Sequence, residues 1–231
     1  MKDNWIAVAR AFKCFQHSTK ATAIALAFLV CAFLFLCLAT TTGSGVYLAL
    51  APAIGVAIVG FGYSIAGRLL LLNVPNVVPN ARFYSLGSFT LEMLCLSSLG
   101  GYMAVLWGGI AIDRPLAIAW MAVSAVVGIV GMGFFLRFVH LIVMHFGRTD
   151  LRDELRAVRT QLIALLAFFV IAAVISRRQM PENLLLAGLF LIFALVILGS
   201  SISKYQQVLK SLRFSALREA AWCERDGVES E

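Results

Sequence analysis

The sequence predicts an all-α membrane protein in which six transmembrane helices form three hairpins and both ends of the chain lie in the cytoplasm. Three observations support this fold class: the composition, a series of six apolar segments, and the uneven distribution of basic residues. The chain has 231 residues, of which 61% are hydrophobic and 13% are charged. So few charged side chains cannot cover a water-soluble domain, and most of the exterior is therefore expected to face lipid.

Each apolar segment has about the 20 residues that a helix needs to cross roughly 30 Å of hydrocarbon. The six segments are residues 21–42, 46–67, 88–112, 116–136, 160–176 and 184–203. The first one is too long for the apolar part of a signal peptide, and some twenty residues precede it, so we expect it to be a retained anchor. Residues 1–203 are thus predicted to form one membrane domain.

The basic residues indicate how the segments are oriented. If the segments cross alternately, 16 of the 19 Lys and Arg residues fall on one side, and only Arg114, Arg177 and Arg178 fall on the other. The side that is richer in Lys and Arg is normally cytoplasmic. The net charge of +7 then reflects basic rims that meet anionic headgroups. We expect no nucleic-acid binding, because no basic patch with interleaved aromatic residues lies outside the membrane segments.

Short turns connect the segments on the outer side. Glycines in residues 40–45 permit a tight return, Pro115 within residues 113–115 suits the first turn of a helix, and residues 177–183 form a third turn. On the cytoplasmic side, two prolines in residues 73–80 exclude a regular helix. We interpret this loop as an interfacial connection, and a docking or gating loop is the alternative.

Two cytoplasmic segments have the periodicity of amphipathic helices. Residues 149–161 lead into the fifth span, and apolar side chains recur there every three or four positions. These side chains are Leu151, Leu155, Val158 and Leu162. After the sixth span, residues 204–223 interleave apolar side chains with Lys and Arg, which is typical of a helix lying on the cytoplasmic leaflet. The polar residues 224–231 are expected to be disordered.

Titratable side chains near hydrocarbon are candidate functional residues, and Glu92, Arg137 and His140 form such a cluster. If the third and fourth spans turn at residues 113–115, Glu92 and Arg137 lie at the same depth near the cytoplasmic boundary. We therefore predict an ion pair between them, with His140 one turn beyond Arg137. The cluster is either a structural latch, which we favour, or a proton or substrate relay open to the cytoplasm.

Small residues at intervals of four predict close contacts between helices inside the membrane. The third span carries Gly100, Ala104 and Gly108, and the second carries Gly60 and Ser64. Such stripes are compatible with a compact bundle, which we favour, or with a homo-oligomer.

Several other classes receive no support from the sequence. The motifs HExxH, GxSxG and the P-loop are absent, so we expect no enzymatic activity. The five cysteines are scattered singly, and we expect neither a disulfide framework nor a metal site or other cofactor. Haem binding is a third hypothesis, but His140 and His145 lie on one helix, about 500° apart in rotation, and do not provide facing imidazoles.

A short resemblance bears on the source of the protein. Residues 134–137, Phe-Phe-Leu-Arg, are followed by residues 145–151, His-Phe-Gly-Arg-Thr-Asp-Leu. This pattern resembles the end of a span in uncharacterised polytopic bacterial membrane proteins, where an Arg-bearing helix runs into a Gly-Arg-x-Asp-Leu segment. The resemblance implies a bacterial inner-membrane protein and supplies no activity.

For function we expect a non-enzymatic accessory or scaffold component that binds a protein partner through its cytoplasmic helices. The alternative is a small transporter or channel that uses Glu92, Arg137 and His140. Transport predicts a polar cavity that reaches the bilayer midplane beside Glu92, whereas a scaffold predicts a closely packed bundle.

Overall fold

The computed structural model describes residues 1–38, 44–108, 114–161, 163–164 and 184–228, and this part of the chain is helical without strands. The all-α class is therefore confirmed for these residues. The helices are α1 (Lys2–Leu38), α2 (Ser44–Leu71), α3 (Ala81–Trp107), α4 (Arg114–His145), α5 (149–161) and α6 (Leu184–Val228). Residues 40–43 of the first expected turn, all of the expected turn at 177–183 and most of the fifth span lie outside the described residues, whereas residues 44 and 45 already belong to α2.

The three longest helices far exceed the length that a membrane crossing requires. Helix α1 has 37 residues, α4 has 32 and α6 has 45. At 1.5 Å per residue these helices measure roughly 55, 48 and 68 Å, compared with about 30 Å of hydrocarbon. Each apolar segment is therefore continuous with a helical extension that bears the polar and basic part of the sequence.

The helices pack mainly in pairs. Helix α1 lies against both α2 and α6, and α3 lies against α4, while the contact between α2 and α3 is slight. Small residues allow the close approaches. A Cβ atom added at Gly60 of α2 would lie 2.8 Å from the Cβ of Ala21 on α1. One added at Gly131 of α4 would lie 3.1 Å from the Cβ of Leu91 on α3.

The buried core lies at one end of the molecule, in the segments that the charge pattern assigns to the cytoplasm. It joins the first half of α1, the loop after α2, the end of α4, the start of α5 and the second half of α6. Its largest fully buried side chains include Trp5, Phe12, Phe138, Ile142 and Leu212. The chain thus has a helical core that is built from the extensions of its apolar helices, and we name it the extramembrane core after the side on which the charge pattern predicts it.

This core changes the interpretation of residues 204–223. Their apolar face was expected to lie on the leaflet, but Val208, Leu209 and Leu212 are fully buried in the core that contains Trp5 and Phe12 of α1. Helix α6 also continues without a break to Val228, five residues into the tail that was expected to be disordered. The physical reason is that residues 2–20 present a second apolar face, and burying two such faces together removes more apolar surface from water than either does alone.

The two prolines after α2 prevent a helix, as expected, but the loop is not only an interfacial connection. Val74 and Val78 are buried in the core, while Leu69 and Leu72 are exposed. The guanidinium Nε of Arg82 donates a hydrogen bond of 2.8 Å to the carbonyl oxygen of Val74. The loop is therefore anchored to the extramembrane core by its valines.

The other end of the molecule has an apolar exterior. Two described helical segments, Ala51–Leu71 and Ala122–His145, are long and apolar enough to cross a membrane. Ile58 of α2 and Val123 of α4 are each more than 60% exposed. Because exposed apolar side chains are stable in contact with lipid and not with water, this exterior suggests membrane association.

Candidate functional site

Glu92 pairs with Arg68, and not with Arg137. The Nε atom of Arg68 lies 3.0 Å from a carboxylate oxygen of Glu92, and the Arg68 side chain is 4% exposed while that of Glu92 is 36% exposed. Arg68 also donates a hydrogen bond to the hydroxyl of Ser88, which itself donates one of 3.0 Å to the carbonyl oxygen of Gly131. Arg68 of α2 thereby links α3 and α4.

The predicted ion pair is absent because the α3–α4 hairpin has another register. Ser88 and Leu91 of α3 lie opposite Gly131, and Cys95 donates a hydrogen bond of 3.2 Å to the carbonyl oxygen of Ser124. These pairs place the centre of the hairpin before residues 113–115, and α4 already begins at Arg114. Arg137 follows Gly131 by six residues, which is roughly 9 Å further along α4.

Sequence reasoning missed Arg68 because it counted this residue among the basic rim of the second span. The sequence contained one indication of this role. Arg68 lies at the end of an apolar helix, at a depth close to that of Glu92, and so it was an alternative partner for the carboxylate. In the structure its guanidinium lies against the rings of Phe15 and Phe135, with distances of 5.5 and 3.8 Å to the ring centres. Arg68 is therefore held in place by aromatic faces as well as by Glu92.

A second polar contact joins α3 and α4 further from the buried core. Trp120 donates hydrogen bonds to the hydroxyl and the carbonyl oxygen of Ser98, at 2.7 and 3.1 Å, and the hydroxyls of Ser98 and Ser124 lie 2.7 Å apart. Hydrogen bonds between helices replace water as partners for polar groups in an apolar setting. The sequence did not predict this contact.

The small-residue stripes have different environments. Gly60 is buried against α1 and Ser64 is half-buried, whereas Gly100, Ala104 and Gly108 of α3 are exposed. An added Cβ at Gly100 would meet no atom within 4 Å. The stripe on α3 therefore does not contact another described helix of the chain.

Arg137 and His140 line a cavity of about 950 Å³ between α4 and α5, and Glu92 does not border it. The structure thus divides the predicted cluster in two. One face of α4 contributes Ala125, Gly128, Met132, Gly133, Arg137 and His140. One face of α5 contributes Arg152, Leu155, Arg156 and Arg159, and Ile163 follows it. The cavity is apolar along α4 and strongly basic where α4 and α5 approach their junction.

The junction between α4 and α5 determines the position of the basic residues. Helix α4 ends at His145 and is followed by a turn in which Gly147 has a φ of +62°. The amide of Arg148 donates to the carbonyl oxygen of Val143 and that of Gly147 to Met144, at 3.2 and 3.1 Å. This is the Schellman arrangement that commonly ends a helix with glycine. It lets the chain turn back, so that α5 runs along α4 in the opposite direction.

Further contacts hold α5 in place. Its apolar face is buried as the periodicity predicts, with Leu151, Leu155 and Val158 each at most 5% exposed. Gln161 exchanges hydrogen bonds of 3.0 and 3.1 Å with Ser200 and Ser201 of α6. These contacts leave the arginine-bearing face of α5 open, since Arg152, Arg156 and Arg159 are exposed.

An exposed ion pair lies at the start of α5. The guanidinium of Arg148 makes two hydrogen bonds, of 2.9 and 2.6 Å, to the two carboxylate oxygens of Asp150. The side-chain hydrogen bonds from Arg148 are the main cause that lowers the pKa of Asp150 to about 2. Asp150 thus remains ionised at the N-terminal end of α5, where a negative charge is favourable.

The histidines do not form a common site. His145 stacks on the indole of Trp5, with ring centres 5.3 Å apart, and His17 lies 5.2 Å from the ring of Tyr63. Among the described residues, no group of three or more His, Cys, Asp or Glu side chains is arranged to hold a metal ion. The haem hypothesis accordingly receives no support from their positions.

Comparisons with protein-family models, with curated proteins and with solved structures found no match to this chain. The class of the protein therefore follows from the fold and the site alone. The described residues form an all-α protein with apolar helices, a helical core built on their extensions, and a basic cavity between α4 and α5.

Proposed function

We propose that the chain is a six-span bacterial inner-membrane protein with both ends in the cytoplasm. It acts as a non-enzymatic accessory component, and its extramembrane helical core binds a protein partner. The observation that carries the proposal is the position of this core: every segment that contributes to it belongs to the side that the basic residues mark as cytoplasmic. The partner surface and the membrane surface are thus separate parts of one rigid helical framework.

The exposed face of α6, which is not buried in the core, is the best candidate for the contact with the partner. Beyond the buried face, Phe214, Leu217 and Trp222 are between 39% and 58% exposed, and the basic Arg218 lies among them. Large apolar and aromatic side chains beside Arg are the composition that binding surfaces favour. These residues lie too far along α6 to face the hydrocarbon, since Phe214 follows Leu184 by 30 residues, or roughly 45 Å.

The α4–α5 cavity supports a second candidate, a small transporter or channel. It contains Arg137 and His140, two residues of the predicted relay. The third residue, Glu92, is held by Arg68 and lies outside the cavity lining. This separation favours the latch interpretation of Glu92 and makes transport the weaker proposal. The transport proposal predicts substrate uptake that is lost in the variant Arg137→Gln and retained in the variant Glu92→Gln.

Two measurements test the accessory role. Tags placed at either end of the chain should resist protease in intact spheroplasts and be cleaved after lysis, and cleavage of either tag in intact spheroplasts would contradict the orientation. Purification in a mild detergent should then recover a second chain in constant ratio. The double variant Phe214→Ser, Trp222→Ser should lose that chain, whereas the matched variant Ile54→Ser, Ile58→Ser on the apolar part of α2 should retain it. Recovery of the same ratio with both variants would contradict the proposed surface.

A further inference from the structure

We infer that the α4–α5 cavity is a binding site for one anionic phospholipid of the cytoplasmic leaflet, with its headgroup phosphate on the arginines and an acyl chain along α4. The inference rests on the membrane placement proposed above. It assigns a ligand to a site that the accessory role does not require.

The apolar wall has the length of one leaflet. Along α4 the lining runs from Ala125 to Leu136, which is roughly 16 Å of helix, or about half of the 30 Å hydrocarbon thickness. Small residues keep this wall open, since an added Cβ at Gly133 would meet no atom of the described residues within 4 Å. The wall therefore offers an apolar channel that ends at the depth of the headgroups.

The headgroup end is basic, and the described residues that line it include no carboxylate. Arg152, Arg156 and Arg159 recur on one face of α5, and Arg137 faces them from α4. Within the parts of the chain that the structure describes, none of these four arginines forms a salt bridge. Arginines spaced by three or four residues on one helix repel each other, so an anion between them relieves the repulsion. The fork of a guanidinium also matches the geometry of phosphate.

The two features together select a lipid over other anions. A free phosphate would use the arginines and would make no use of the apolar wall. An acidic protein segment would be excluded by the depth of the wall, because an unpaired backbone is unstable in hydrocarbon. A phospholipid satisfies both ends at once, and basic pockets at the cytoplasmic ends of membrane helices are suited to anionic headgroups.

Native mass spectrometry of the purified full chain tests this inference. The protein is stripped of lipid in detergent and then titrated with phosphatidylglycerol, with phosphatidylcholine of the same acyl chains, or with inorganic phosphate. We expect a single phosphatidylglycerol to be retained roughly tenfold better than phosphatidylcholine, and excess phosphate to displace it weakly. Equal retention of the two lipids would overturn the inference, and complete displacement by phosphate would assign the site to a free anion instead.

Paired variants locate the binding within the molecule. Arg152→Gln with Arg156→Gln should reduce phosphatidylglycerol retention roughly tenfold or more, since each removed charge weakens the contact with an anionic headgroup. The control, Arg213→Gln with Arg218→Gln, removes two basic side chains of α6 outside the cavity and should leave retention unchanged. Equal losses in the two variants would show only a general attraction of the basic surface, and would overturn the assigned site.

A further pair tests the acyl-chain wall. Gly133→Trp would fill the cavity and should reduce retention of the lipid, whereas Gly62→Trp on α2 places the same side chain at a glycine that is equally free of neighbours. If Gly133→Trp retained the lipid as well as Gly62→Trp does, the assignment of the acyl chain to this wall would be contradicted.

Flotation of the protein with liposomes separates the two proposals. A protein that does not float contradicts the membrane placement, and one that floats without lipid preference contradicts only this inference.

Discussion

The guanidinium carbon of Arg68 lies 3.8 Å from the centre of the Phe135 ring, and it does so at the junction between the apolar helices and the extramembrane core. The same guanidinium reaches Glu92 and Ser88 on α3. Arg68 therefore joins α2, α3 and α4.

A double-mutant cycle distinguishes the observed partner of Glu92 from the predicted one. Arg68→Gln and Glu92→Gln should show a coupling energy of about 1 kcal/mol, because their side chains are in contact. Arg137→Gln and Glu92→Gln should be additive. The measurement is the free energy of unfolding in detergent with a chemical denaturant. Coupling in the second cycle instead of the first would contradict the register of the α3–α4 hairpin.

Close contact between α1 and α2 depends on glycine at position 60. Gly60→Ala places a Cβ 2.8 Å from that of Ala21, so the helices must move apart, at a cost of roughly 1–3 kcal/mol. Gly62→Ala meets no atom within 4 Å and provides the matched control. Thermal denaturation should show a lower midpoint for the first variant alone. Equal midpoints would mean that the α1–α2 contact is looser than the structure indicates.

The turn at Gly147 should be sensitive to any side chain. Its φ of +62° is unfavourable for other residues by about 1–2 kcal/mol. Gly147→Ala should therefore destabilise the protein by about 1 kcal/mol and weaken phosphatidylglycerol retention by displacing α5. Gly133→Ala, in the regular part of α4, should be neutral or stabilising. Denaturation and lipid retention measured together would reveal any variant in which only one of the two properties changes.

The burial of α6 in the extramembrane core can be tested with two leucines of the same helix. Leu212 is fully buried and Leu217 is 39% exposed. Leu212→Ala should reduce the free energy of unfolding by roughly 2–5 kcal/mol, and Leu217→Ala by much less. If residues 204–223 instead lay on the leaflet, both substitutions would weaken membrane contact to a similar extent.

The ion pair at the start of α5 predicts a pH dependence with a definite sign. The pKa of Asp150 is about 2 in the folded protein, against 3.8 for an ordinary aspartate. Its stabilising contribution is therefore fully present above pH 3.8 and is lost as the pH falls toward 2. Carbon-detected NMR of the carboxylate should locate the titration, and Arg148→Gln should move the pKa up toward its ordinary value. A titration near 3.8 in the unmodified protein would contradict the ion pair.

Local patterns were sufficient for part of this description. The apolar lengths of α2 and α4, the start of α4 near Pro115 and the buried face of α5 follow from residue spacing, because each depends on neighbours within one or two helical turns. The partner of Glu92 depends instead on how two helices align across a turn. An error in the predicted centre of that turn displaces the residues of the two helices relative to each other. It was enough to make Arg137, instead of Arg68, the predicted partner of Glu92.

The sequence by itself determined the helical class, the apolar segments and the charge asymmetry, since composition and periodicity are properties of the chain alone. Only the tertiary structure decided that residues 204–223 pack on α1, that Glu92 pairs with Arg68, and that four arginines surround one cavity. Each of these relationships joins side chains that are distant in sequence. Their free energy depends on which faces meet, and that choice is made by the packing of the whole molecule.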